Sequence, residues 1–119
     1  MKINELAKLT GLTAHTIRYY EKEGLLDDKH IKREANNYRN YSDETIDRLK
    51  LIKKFQNIGC TLTELKDVLY SVDNKVRTNQ EIITWIKNKI TEVENKQKEY
   101  NQMLKTLNSM LRHRTNLVK

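Results

Sequence analysis

Residues 13–22 bring hydroxyl, imidazole, phenol and cationic side chains together in one short segment, and this segment offers the clearest chemistry in the chain. If the segment is a helix with Ile17 on its inner side, these side chains point away from the core. Donors and a cation on the first turns of a helix suit contacts with base edges and phosphates in a DNA major groove. The outward residues are His15, Thr16, Arg18, Tyr19 and Lys22.

The overall charge of the chain also favours an anionic partner such as DNA. The 119 residues include 23 Lys and Arg against 16 Asp and Glu, which gives a net charge of +7 at pH 7. Such a balance favours nucleic acid as a partner, although basic chains that bind none are common. Further cations follow the segment, at Lys29, Lys32, Arg33 and Arg39. A solvated basic loop remains the alternative interpretation of that run.

The elements that would position these residues begin with a helix-turn-helix. Ala7 provides the small residue where two helices touch, Gly11 permits a left-handed turn, and Ile17 fills the core from the second helix. Thr13 is placed to cap that second helix. A plain helical hairpin with no DNA contact would satisfy the same spacing.

Helical periodicity stops between Gly24 and Tyr41. Asn36 and Asn37 tolerate the positive φ of a tight turn, so this stretch is predicted to form a small β-hairpin, or wing. A wing beside a helix-turn-helix would bring its cations to the same surface.

Two further helices follow, and the chain is predicted to be mainly helical because it has no proline and only three glycines. The third helix opens at Ser42 and ends near Gly59; its apolar positions are Ile46, Leu49, Leu51, Ile52 and Phe55. Thr61 and Glu64 form a capping box for a short fourth helix, which carries Leu62, Leu65, Val68 and Leu69. Residues 72–79 are predicted to be a polar connector.

The last segment carries a heptad seam over four repeats, with spacings of three and four in alternation. A single long helix would leave this stripe in water, so we expect it to pair with a second copy of the chain. Gln97 lies midway along the seam and would meet its own copy in either a parallel or an antiparallel pair. The seam residues are Ile83, Ile86, Ile90, Val93, Gln97, Tyr100, Leu104, Leu107 and Leu111.

Three motifs together resemble the MerR family of bacterial transcription regulators. They read TIRYYEKEGLL at 16–26, NYRNY at 37–41 and IGCTLTEL at 58–65, and the resemblance covers residues 1–72. It implies a winged helix-turn-helix DNA-binding domain at 1–75, a dimerisation helix at 76–112 that forms an antiparallel coiled coil, and a short tail at 113–119.

The resemblance also implies a function and a set of contacts. Members of this family bind, as homodimers, a dyad in a promoter whose spacer is too long, and they distort the DNA so that RNA polymerase can use it. By that resemblance Arg18 and Tyr19 contact DNA from the recognition helix, and Tyr38 and Arg39 contact it from the wing. Thr13, His15 and Thr16 would lie at the groove, while Tyr20 and Tyr41 belong to the core.

The sequence does not identify a signal. Metal-sensing relatives carry cysteines at 79–83 and after Leu111, where this chain has none, so no metal or other cofactor is expected. Few residues follow Leu111, and no separate effector domain is expected. Cys60 is the single candidate for a thiol sensor. A packed, inert cysteine is the favoured interpretation, because that position usually holds a hydrophobic residue in such regulators.

Several other classes are disfavoured. No run approaches the ~18 apolar residues of a membrane span, and one cysteine suits a reducing cytoplasm. No carboxylate pair, activated nucleophile, phosphate-binding loop or metal cluster suggests an enzyme. Two alternatives remain, an excisionase-like architectural protein that bends DNA and a coiled-coil adaptor that binds an acidic protein. The long seam argues against the first, and salt-dependent DNA affinity would argue against the second.

Overall fold

The computed structural model describes residues 1–27, 29–33 and 39–118, with Arg33 described by its backbone alone. Its elements are α1 (Ile3–Thr10), α2 (Ala14–Lys22), β1 (Ile31–Arg33), β2 (Arg39–Tyr41), α3 (Glu44–Asn57), α4 (Leu62–Asn74) and α5 (Asn79–Leu117). The prediction of a mainly helical, winged helix-turn-helix fold with a long last helix is confirmed. The chain divides into two compact units, Met1–Val76 and Arg77–Lys119.

The first unit has one apolar core, to which the described helices α1 to α4, strand β2 and the segment after α2 contribute. Leu6 of α1 and Ile17 of α2 have no exposed surface. Burying such a side chain contributes roughly 1.5–3 kcal/mol, and this is what holds two short helices that would not persist alone. The core residues are Leu6, Ile17, Tyr20, Leu25, Leu26, Tyr41, Leu49, Ile52, Leu65 and Leu69.

The turn between α1 and α2 forms as its residues predict. Gly11 has φ of 70°, and its N–H donates to the Ala7 carbonyl at 2.9 Å, which ends α1. Thr13 then caps α2, because its hydroxyl oxygen accepts from the Thr16 N–H at 3.1 Å. The turn therefore fixes the angle at which α2 leaves α1.

The wing is a two-stranded antiparallel ribbon in which Ile31 pairs with Tyr41 and Lys32 with Asn40. The predicted turn at Asn36–Asn37 lies outside the described residues. Backbone hydrogen bonds join the wing to the start of the chain, because the Tyr41 N–H donates to the Met1 carbonyl at 2.7 Å. The His30 carbonyl accepts from the Ser42 N–H and the Thr45 hydroxyl, both at 2.9 Å, so β1 is also joined to the start of α3.

The wing is joined to α2 through Glu21. Arg39 Nε lies 2.5 Å from one carboxylate oxygen of Glu21, and the Tyr41 hydroxyl donates to the other at 3.2 Å. Burial, followed by the charge of Glu21 and its hydrogen bond, raises the pKa of Tyr41 to about 12. Helix and wing are thus tied by one carboxylate.

Two predicted boundaries in the first unit are wrong. Helix α3 begins at Glu44 rather than at Ser42, whose hydroxyl donates to the Lys29 carbonyl at 2.9 Å instead of capping the helix. Helix α4 does not give way to a connector at residue 72. It continues to Asn74, because Arg48 on α3 holds Asp73 through two hydrogen bonds of 2.8 Å.

Helix α5 differs from its predicted range of 76–112 at both ends. It begins at Asn79, after Thr78 and Glu81 form a capping box, and it continues to Leu117. Residues 113–117 are therefore helical rather than part of a tail. The side chains of residues 113–117 are polar or basic except for Leu117, so the apolar spacing of the seam does not indicate that the helix continues.

Tyr41 gives the fold a pH dependence at the alkaline end. Because its pKa lies at about 12 in the folded chain and near 10 when unfolded, the folded state holds the proton more tightly. Stability is therefore retained below pH 10 and falls as the pH rises towards 12, by about 2 kcal/mol from this residue.

We expect Tyr41→Phe to reduce that fall, measured as the difference in urea unfolding free energy between pH 9 and pH 11.5. Tyr20, whose pKa burial also raises, accounts for part of the remainder. Tyr70→Phe is the matched control, because Tyr70 is 62% exposed. An equal fall in Tyr41→Phe and the unmodified chain would show that Tyr41 does not titrate as described.

Candidate nucleic-acid interface

Helix α2 separates its side chains into a buried and an exposed side. Ile17 and Tyr20 lie in the core, with 0% and 3% exposure. The Tyr20 hydroxyl donates to Gln56 at 2.6 Å, and burial raises its pKa while that hydrogen bond lowers it. Of the outward residues that the sequence predicts, His15, Arg18, Tyr19 and Lys22 are exposed and Thr16 is half-buried. The helix therefore presents two cations and several donors on one surface.

The first turn of α2 is arranged to meet an anion. Its free N–H groups give the helix N-terminus a partial positive charge. The Thr13 hydroxyl is already used, since it accepts from the Thr16 N–H and donates to the Thr16 hydroxyl at 2.9 Å. Of the two hydroxyls, Thr16 thus retains its proton for a partner, whereas Thr13 shapes the turn.

Tyr19 stands at the boundary between the surface and the core. It is 44% exposed, and its ring lies 5.9 Å from the Tyr20 ring at an angle of 54°. A tilted pair of this kind limits the positions that the Tyr19 ring can take. The Tyr19 hydroxyl is therefore restricted to a limited range of positions at the surface.

In the wing, fewer of the predicted residues are exposed to solvent. Arg39 is partly exposed and paired with Glu21, and Tyr41 is 2% exposed within the core. Lys29 and Lys32 are exposed. Tyr38 lies outside the described residues, as does the Arg33 side chain.

Sequence reasoning missed two residues next to this surface. Lys53 on α3 lies beside the turn between α1 and α2, since a Cβ built on Gly11 would be 3.7 Å from its Nζ. Glu21 lies one helical turn after Arg18 and holds the wing. The i, i+3 spacing of Arg18 and Glu21 was visible in the sequence, but the contact of Glu21 with a strand eighteen residues later was not.

Cys60 belongs to the hydrophobic surroundings rather than to the exposed face. It is partly buried and packs against the core cluster. Within the described residues, no group of three or more His, Cys, Asp and Glu side chains could hold a metal ion. No described helix is both long enough and apolar enough to cross a bilayer.

The second unit presents the heptad seam to solvent. Ile86, Ile90 and Val93 are 47–51% exposed, and Tyr100, Leu104, Leu107 and Leu111 are 56–65% exposed. On the same helix, Lys89 Nζ lies over the Trp85 ring at 5.7 Å and bonds Glu92 at 3.1 Å. A single chain thus leaves a long apolar stripe uncovered.

Comparison with known proteins matches both parts of the chain. Residues 1–72 match the MerR HTH family regulatory protein, and residues 46–110 match the family described as MerR, DNA binding. The chain is 38% identical over 89 residues to a ZntR homolog of Haemophilus influenzae, covering 75% of this chain and 64% of that protein. It is 44% identical over 72 residues to the mercuric resistance operon regulatory protein of Bacillus cereus, covering 60% and 53%. The chain thus spans less than two thirds of the length of these relatives.

Solved structures give the same result. HiNmlR, a MerR family regulator lacking the sensor domain and bound to promoter DNA, superposes with a TM-score of 0.66 at 25% identity, over 87% of this chain and 77% of that chain. A transcription regulator from Ralstonia metallidurans in complex with Lead(II) gives 0.76 at 29% identity, over 94% and 85%. With family matches that together span residues 1–110, the chain belongs to the MerR family of helix-turn-helix regulatory proteins.

Proposed function

We propose that the chain is a sequence-specific transcription regulator of the cytoplasm that binds a promoter dyad as a homodimer. The observation that carries the proposal is the exposed side of α2, where Arg18, Tyr19 and Lys22 project from a helix anchored by Ile17 and Tyr20. A helix held in this way keeps its outward residues in fixed positions, which base recognition requires. The DNA-bound relative HiNmlR supports the same partner for this chain.

The proposed contacts divide by chemistry. Arg18 has the planar donors that recognise a guanine edge or a phosphate, and Lys22 carries a point charge suited to phosphate. Tyr19, Thr16 and His15 add hydrogen bonds near the N-terminus of α2. Thr13 in the turn and Tyr38 in the wing are further proposed contacts. The sequence also predicts a contact from Arg39, whose guanidinium is paired with Glu21.

The homodimer is proposed from the uncovered stripe on α5. Apolar seam residues with about half their surface exposed over about eight turns of helix are unfavourable in water, and a second copy covers them without any other partner. Two copies also bring two α2 helices to one DNA duplex, which a dyad requires.

An antiparallel pairing of the two α5 helices is supported by their charges. Residues 100–119 contain no acidic residue, whereas in residues 79–99 four glutamates balance four lysines. A parallel pair would set two cationic segments side by side. An antiparallel pair sets each cationic segment along the half of the partner that carries the glutamates, which lowers the repulsion.

Membership of the family supports a finer mechanism for this chain. Distortion of the DNA between the two half-sites, so that RNA polymerase can use a promoter with an overlong spacer, is the proposed mode of action. We expect DNase footprints on DNA next to its own gene to show a protected dyad with enhanced cleavage at the centre. Diffuse protection would contradict this mode and favour an architectural DNA-bending protein.

Arg18 tests the recognition surface. Arg18→Ala should weaken binding to the protected dyad by about 1–3 kcal/mol if Arg18 contacts a base, with unfolding unaffected because the side chain is exposed. Titration by fluorescence anisotropy would measure the change. Lys98→Ala removes the same charge from α5, outside the seam, and should bind as the unmodified chain does. Equal affinities for Arg18→Ala and Lys98→Ala would contradict the proposed surface.

Ile90 tests the dimer. Ile90→Lys would place a charge within the apolar seam, and we expect it to sediment as a monomer and to lose dyad binding. Thr91→Lys is the control, because it adds the same charge to the next, exposed position, outside the seam. A dimeric Ile90→Lys protein in analytical ultracentrifugation would show that the seam does not form the interface.

A further inference from the structure

One carboxylate on α2 is in contact with two residues of the wing. Arg39 and Tyr41 are two positions apart on β2, so their side chains leave the same face of the strand. Arg39 Nε approaches one oxygen of Glu21 at 2.5 Å, while the Tyr41 hydroxyl donates to the other oxygen at 3.2 Å. Both oxygens of Glu21 are therefore occupied by the wing.

The charge of Arg39 is matched within the protein. The Glu21 side chain is 16% exposed and that of Arg39 is 38% exposed, so the pair is partly shielded from water. The Arg39 Nε atom itself is buried, and it lacks the geometry of a hydrogen bond, so proximity of charge is what joins it to Glu21. The negative charge of Glu21 offsets the positive charge of this guanidinium, which weakens its attraction to a phosphate.

We propose that Glu21 is a positioning residue that holds the wing on the recognition helix, and that it does so by taking up the charge of Arg39. Arg39 then fixes the place of the wing and does not act as the phosphate contact that the sequence predicts. This inference rests on the proposed DNA-binding function.

Two features of the molecule require such a tie. Each strand of the wing has three residues, and a ribbon of that size is only marginally stable without support from neighbouring elements. Glu21 also lies one helical turn from Arg18, where an unpaired carboxylate would repel DNA phosphates. Pairing with Arg39 removes that repulsion and anchors the ribbon in the same contact.

The test measures affinity for the dyad and for unrelated DNA over a range of salt concentrations. Glu21→Gln frees the Arg39 guanidinium to reach a phosphate, so the slope of log affinity against log salt should steepen by about 0.9. The ratio of specific to non-specific affinity should fall about tenfold, as the wing loses its fixed place. The double variant Glu21→Gln with Arg39→Gln should return the slope to its original value while the ratio stays low.

Glu23→Gln is the matched control. It removes the same charge two residues further on, where the carboxylate pairs with Lys66 at 3.4 Å and not with the wing. Its salt slope and its ratio should both stay close to those of the unmodified chain. Glu21→Asp keeps the charge but shortens the reach to the wing, so it should keep the original slope and lower the ratio.

A second measurement does not depend on DNA. Glu21 raises the pKa of Tyr41 through its charge and its hydrogen bond, whereas Arg39 lowers that pKa. In ultraviolet titration, Glu21→Gln should move the Tyr41 transition to lower pH and Arg39→Gln should move it to higher pH. Each titration curve is compared with that of the matching variant that also carries Tyr41→Phe, and the difference between the two curves is the titration of Tyr41.

The outcomes separate the inference from the function on which it rests. If Arg39→Gln flattens the salt slope by about 0.9 in both the original and the Glu21→Gln background, Arg39 neutralises a phosphate itself and the inference is overturned. If Glu21→Gln leaves the Tyr41 titration unchanged, the contact between α2 and the wing is overturned. If the unmodified chain shows no salt-dependent DNA binding, the proposed function fails instead.

Discussion

The architecture of the first unit depends on the burial of one side of α2. The helix has nine residues, too few to persist in water alone, so its position is set by Ile17 and Tyr20 in the core. The same burial decides which residues face outward, because the helical period leaves no freedom once Ile17 is fixed. Gly11 and Thr13 then set how α2 follows α1. The outward positions of Arg18, Tyr19 and Lys22 are thus a consequence of the packing beneath them.

The second unit obeys a different constraint. Helix α5 has 39 residues and carries a seam that its own chain leaves largely exposed. Its thirteen-residue neighbour α4 is too short to cover that seam. In the proposed homodimer, the core of the first unit and the interface between the two copies of α5 are therefore distinct sources of stability. This separation explains why a seam mutation and a mutation on α2 are expected to affect different measurements.

Local signals could be read from the sequence, and contacts between distant residues could not. The Gly11 turn, the Thr13 cap and the Thr61–Glu64 capping box each depend on residues within four positions, and all three are present. The predicted end of α4 is too early because the last turn is held by Arg48, which is twenty-five residues away from Asp73. The contact of Glu21 with the wing escaped prediction for the same reason. A charged residue on a helix looks solvated until its partner is known.

The connector between α4 and α5 is short, and both helix ends beside it are well formed. Helix α4 ends at Asn74 and α5 begins at Asn79, and both ends are fixed, by the bond from Asn74 to the Tyr70 carbonyl and by the capping box at Thr78. Between them Lys75 has φ of 50°, a left-handed conformation that costs a non-glycine residue about 1 kcal/mol. Lys75 has the one positive φ among the described non-glycine residues, so the backbone strain of this connector is concentrated at a single residue between two well-formed helix ends.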